Sequence, residues 1–202
     1  MPITPMTDLA ERGWSVTPEP TWDLRLPDGT DTVEPIPGVV MPTWVRAEGP
    51  LQSLPAEAVQ GATDSEVEGV RVEVEAVYDA KAGRYRLRGL SITASDAGEV
   101  TGVLLRRIAP LSILRWVLPR VFDTDDAALT PSVASFVAPE MDTLRESAEQ
   151  ERPAPTVQDA ATIYRLAEVV REPPAKAVAT ALGLQARTAT NWIKRAKAQG
   201  LL

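Results

Sequence analysis

Arg187, Thr190, Asn191 and Lys194 recur three, four and seven positions apart near the end of the chain. That spacing sets four polar side chains in one stripe along a helix. Their chemistry is that of hydrogen bonding to planar edges: a guanidinium can bond guanine bidentately and a carboxamide can bond adenine, each worth about 1 to 3 kcal/mol of discrimination. Thr190 adds a hydroxyl or a methyl contact. Gln185, just before the stripe, can reach a base or a phosphate. Lys176, Lys194, Arg195 and Lys197 are placed to meet a phosphate backbone, where contacts position without specifying. As a bland alternative, each lysine is a solvated surface charge.

Such a stripe needs a rigid helix behind it, and the stretch Thr156 to Leu202 supplies three. Thr156 is an N-cap candidate with Asp159 at the third helical position, facing the exposed amides and the positive dipole end. A first helix over about Val157 to Arg171 would bury Ala160, Ile163, Tyr164, Leu166, Ala167 and Val170. Pro173 and Pro174 stop it, and Pro174 suits the first turn of the next helix. That second helix, about Ala175 to Leu182, turns Val178, Ala179 and Leu182 inward; Gly183 can end it in the left-handed conformation, with Leu184 plugging the core. The third, about Ala186 to Gln199, has the inward stripe Ala189, Trp192, Ile193 and Ala196, and Gly200 ends it so that Leu201 and Leu202 fold back.

Small residues at Ala179 and Ala189, Gly183-Leu184 between them and Trp192 on the inner face form a pattern that resembles the helix-turn-helix family. The longer segment PPAKAVATALGLQARTATNWIKRAKAQGLL is similar to the C-terminal module of many small regulatory proteins of actinobacteria and their phages, of the form AVAxALGxxxxTAxxWxxRAxxxGLL. The hairpin and EVTGVLLRRI stretch upstream look similar to what precedes the module there. The resemblance implies a tri-helical DNA-binding unit whose last helix enters the major groove. A structural tri-helical module used for protein contact is the alternative.

Charge is distributed in the same sense. The chain carries 21 basic and 28 acidic residues among 202, a formal net charge of -7. Seven of the basic but three of the acidic residues lie from Pro155 onward, so that part carries +4 and the remainder, with 14 and 25, carries -11. A basic module behind an acidic body fits a nucleic-acid reader with restrained non-specific affinity. The absence of cysteine and histidine removes disulfides, thiolate nucleophiles, their metal sites and imidazole catalysis. Carboxylate chemistry would have to rest on Asp123, Asp125, Asp126, Glu140 and Asp142, which read as solvated turn residues with no glycine-rich phosphate cradle beside them. The expectation is a non-enzymatic protein without a cofactor or metal site. The start, MPITPMTDLAERGW, does not resemble a signal peptide, and no apolar run is long enough to span a membrane, so a cytoplasmic location is expected.

The body reads as α+β. Ten of the 18 prolines fall before residue 60, which argues for an irregular wrap with a short strand at about Gly38 to Ala47. Trp14, Trp22 and Trp44 are expected to dock on the following sheet, with an aromatic ligand pocket as the alternative. Val70, Val72 and Val74 alternate with Arg71, Glu73 and Glu75; after a turn ending at Gly83, Arg84 to Arg88 alternate again. This predicts a hairpin at about 69–94, with Glu73 and Glu75 facing Arg84, Arg86 and Arg88 as a solvated ion-pair face. After a short strand or helix and a turn at Ala109-Pro110, an apolar helix over Leu111 to Leu118 is either core or a dimer contact. A weak helix around Ser132 to Glu149 and a polar linker to Pro155 complete the chain. The resulting division is a body over 1–122, a weak helix and linker over 123–155, and a helix-turn-helix domain over 156–202.

Three roles remain open: a sequence-specific regulator, dimeric because one such unit seldom gives tight binding alone; an accessory DNA-binding protein of a phage or mobile element, in recombination or replication; and an interaction protein whose acidic body does the work.

Overall fold

The structure, a computed structural model, describes residues 22–26, 30–95, 98–124, 132, 133, 136 and 154–202. Valines at every second position of β5 (Val70–Asp79) bury one face, and the intervening charged residues stay outside. Residues 80–83 turn the chain into β6 (Arg84–Ala94), giving the hairpin expected from the alternation. β4 (Trp44–Pro50) pairs antiparallel on the other side of β5, and β1 (Asp23–Arg25) completes a four-stranded antiparallel sheet in the order β1-β4-β5-β6.

The described part of the proline-rich region is more regular than its composition predicts, and residues 1–21 lie outside the described residues. In place of one strand over Gly38 to Ala47, a small hairpin of β2 (Thr32–Ile36) and β3 (Val39–Pro42) is followed by β4. Thr43 is the junction: its amide donates to the Asp31 carbonyl in one sheet, and its carbonyl accepts from the Tyr78 amide in the other. Proline is accommodated where a missing donor does least harm. Pro35 falls within the register shift of β2, and Pro42 and Pro50 are the last residues of their strands.

Beneath the sheet lies α3 (Pro110–Val117), with proline at its first position and Ile113, Leu114 and Val117 buried. Core packing therefore accounts for its apolar surface, while Leu111 and Trp116 are half-buried against the same core. Trp22 meets Trp116 edge-on at 4.9 Å and its indole nitrogen donates to Ser53 Oγ at 2.6 Å. The contact depends on Gly49, since a Cβ there would lie 2.4 Å from the Trp22 ring. Trp44 is half-buried with the Arg88 guanidinium 5.3 Å over its ring, and Trp14 lies outside the described residues. Two short helices, α1 (Asp64–Val67) and α2 (Gly102–Arg107), join through an ion pair between Glu66 and Arg107.

The outer sheet face is ion-paired, with different partners from those predicted. Glu75 does meet Arg88, at 3.7 Å, but Glu73 stands opposite Ser91 and turns instead toward Arg46, while Arg86 pairs with Asp79 at 3.1 Å. The register explains this. A bulge beside Glu75 and the neighbouring β4 bring different charges into reach.

Three helices close the chain: α4 (Val157–Val169), α5 (Pro174–Ala181) and α6 (Ala186–Ala198). The protein is thus α+β, an antiparallel sheet in the N-terminal part and three C-terminal helices. Thr156 caps α4 as anticipated: its hydroxyl accepts from the Asp159 amide, and the Asp159 carboxylate accepts from the Thr156 amide. The same carboxylate accepts from Ser132 Oγ at 2.6 Å. Of the weak helix expected over Ser132 to Glu149, the described residues 132, 133 and 136 are helical, and its remainder and the linker to 153 lie outside the described residues.

All three helices end in the same way, with a residue at positive φ and a pair of backward hydrogen bonds. Gly183 and Gly200 serve α5 and α6, but α4 uses Arg171, at φ 63°. A side chain costs about 1 to 2 kcal/mol in that conformation, offset in part by the greater chain entropy of glycine. Arg171→Gly is therefore expected to raise the unfolding free energy by roughly 0.5–1 kcal/mol in urea denaturation. An equal rise for Arg171→Ala would trace the effect to the side chain instead.

One apolar cluster runs from the sheet through α3 into all three closing helices. Arg115 of α3 donates from Nε to the Arg171 carbonyl at 2.8 Å, tying the body to the corner between α4 and α5.

Candidate nucleic-acid interface

The framework of the site is a close crossing of small residues. Ala160, Ala167, Ala177, Val178, Ala189 and Ala196 are buried on α4, α5 and α6, which pack against one another. Ala177 is buried outside the inward set that the sequence predicts, and Ala179, which belongs to that set, is half-buried. The turn between α5 and α6 is set at Gly183, φ 62°, where the Leu184 amide reaches back to the Ala179 carbonyl at 2.8 Å. Gln185 follows in an extended conformation and stands at the N-cap of α6, its side chain making no capping hydrogen bond.

On α6 the inner face is Ala189, Ile193 and Ala196, with Trp192 half-buried against the core. Subtraction leaves the outer face. Arg187, Thr190, Asn191 and Lys194 are all exposed, as are Gln185, Arg195, Lys197 and, on α5, Lys176. Among the described residues none of the five cations in this set takes part in a salt bridge, whereas six arginines of the body do.

Two side chains are less free than the sequence implies. The Thr190 hydroxyl donates to the Ala186 carbonyl at 2.9 Å, so its proton is already committed. Lys197 places Nζ 5.5 Å from the centroid of the Tyr164 ring, an attraction that draws the ammonium toward α4. Tyr164 is half-buried, and burial, with the Glu168 charge and hydrogen bond behind it, raises its pKa.

Nothing local in the sequence marks Glu172. It lies at the corner joined to Arg115, and burial raises its pKa despite the opposing attraction of Lys176 and Arg115. A carboxyl whose folded pKa lies above its unfolded value favours folding while protonated; that contribution fades as pH rises through the folded value. Glu172→Gln is accordingly expected to raise the urea midpoint at pH 7 and to lose that advantage near pH 4. A midpoint difference independent of pH would contradict this assignment.

Elsewhere among the described residues the chemistry is sparse. Asp123 is bridged through its backbone to Val40, and Asp125, Asp126, Glu140 and Asp142 lie outside the described residues. The outer sheet face has a polar depression of about 120 Å³ lined by Glu48, Arg71, Glu73, Ser91 and Thr93. Sites for small organic ligands usually exceed about 300 Å³. Among the described residues no helix is long and apolar enough to cross a membrane. No protein-family model, curated protein or solved structure matches the chain.

Proposed function

We propose that this chain is a sequence-specific, non-catalytic DNA-binding protein of helix-turn-helix type, a transcriptional regulator that presents α6 to the major groove. The observation that carries this reading is the exposed stripe Arg187, Thr190, Asn191 and Lys194, free of ion pairs among the described residues, on a helix whose opposite face is fixed by Ala189, Ile193 and Ala196. Arg187 and Asn191 read bases, Thr190 and Gln185 assist near the N-terminal end, and Lys176, Lys194 and Arg195 set the unit against phosphates. Lys197, drawn to Tyr164, is the weakest contributor to the phosphate contacts.

A single unit of this size covers roughly 600–1,000 Å² of interface. The proposal therefore includes a homodimer binding two half-sites about 34 Å apart, with the acidic body directing partner contacts rather than DNA contacts. Such a protein works in the compartment that holds its DNA, and the proposal places it in the cytoplasm. Selection of bound duplexes from a random pool, with solution mass measured in parallel, tests the reading. The expected result is an enriched, two-fold symmetric motif and the mass of a dimer. A pool that stays random through successive rounds would refute sequence-specific binding.

A further inference from the structure

Building on that reading, we infer that Thr190 is a specificity-determining residue that recognises the C5-methyl group of a thymine. A threonine hydroxyl has one proton. In α6 that proton is donated to the Ala186 carbonyl, one turn back on the same helix, at 2.9 Å. Thr190 consequently has no donor left for guanine O6 and N7, adenine N7 or thymine O4, which are the acceptors on the major-groove edges. What it offers a partner is a methyl group and an oxygen lone pair.

The residue is exposed in the middle of the outer stripe, flanked by Arg187 and Asn191. Those neighbours supply donors and the carboxamide an acceptor, so hydrogen-bonding capacity is already present on both sides. The methyl of Thr190 is the only apolar group of these four side-chain tips, and thymine C5-methyl is the apolar group that the standard base pairs display in the major groove. Contact between two methyl groups removes apolar surface from water without leaving a polar group unpaired. The hydroxyl bond to Ala186 also pins the side chain, so little rotamer freedom is lost on binding.

The test replaces each thymine of a selected duplex in turn by uracil, which removes the methyl and keeps every hydrogen-bonding group. With the full-length protein, one such position per half-site is expected to weaken binding by about fourfold, the effect of one buried methyl group. Thr190→Val, which keeps a methyl and lacks the hydroxyl, is expected to retain the thymine preference at that position. Thr190→Ser, which keeps the hydroxyl and lacks the methyl, is expected to bind the thymine and uracil duplexes equally. Circular dichroism melting of both variants checks that α6 is intact. The inference is overturned if no thymine is sensitive, or if Thr190→Ser keeps the discrimination and Thr190→Val loses it, the outcome for a hydroxyl contact. Should base preference still depend on Arg187 and Asn191 in that case, the DNA-binding reading survives and this inference alone falls. Absence of binding to any duplex defeats both.

Discussion

Replacing Arg187 or Asn191 with alanine is expected to weaken binding to a selected duplex by about 1–3 kcal/mol each, roughly five- to 150-fold. The loss should fall on the specific complex. Against random-sequence duplex, Asn191→Ala is expected to bind as the parent does, because a neutral carboxamide adds little to phosphate attraction, while Arg187→Ala loses slightly through its charge. Both residues are exposed on α6, outside the core and unpaired with any carboxylate among the described residues, so the substitutions leave the fold intact. Equal affinity of parent and both variants, in competition assays on the selected site, would remove the stripe from the interface.

The largest expected effect on stability lies beneath the stripe. Leu166 of α4 is fully buried in the cluster that also contains Val74 of β5 and Leu114 of α3. Leu166→Ala should lower the unfolding free energy by about 2–5 kcal/mol, the range for truncating a buried leucine where the surroundings relax incompletely. Because the cluster is continuous from the sheet to the closing helices, the loss is expected in one urea transition, with tryptophan fluorescence and far-ultraviolet circular dichroism coinciding. Two separated transitions, with the variant moving only one, would show that the helical unit unfolds by itself.

Where backbone chemistry is local, the chain is readable. The β5–β6 hairpin follows from valines alternating with charge, the start of α4 from Thr156 and Asp159, the start of α5 from Pro174 and the turn before α6 from Gly183. The hairpin follows from side-chain alternation on either side of a short turn, and at the helix ends neighbouring residues satisfy or remove the relevant amides and carbonyls. Legibility fails where the partner is distant in sequence. The strands between residues 23 and 50 are hidden by prolines whose missing donors fall at a bulge or at strand ends, a matter of register. Arg171 adopts a conformation that the other two helix ends assign to glycine, and its carbonyl is held by Arg115 from 56 positions away. Similarly, the exposure of the seven candidate contact residues that lie on helices follows from helical periodicity, but the bond from Thr190 to Ala186 and the approach of Lys197 to Tyr164 emerge only from side-chain placement.

The proposal that the three closing helices form a DNA reader is tested most directly by titrating the full-length protein with duplex DNA over a series of salt concentrations. The predicted result is binding to random-sequence duplex at low salt, with log affinity falling linearly against log salt, and a selected site that remains bound at concentrations where random duplex is released. Lys176, Lys194 and Arg195 give a slope of about three released counterions per protomer, reduced by about one in Lys176→Ala. No binding to either duplex at the lowest salt, where phosphate attraction is strongest, would contradict the account.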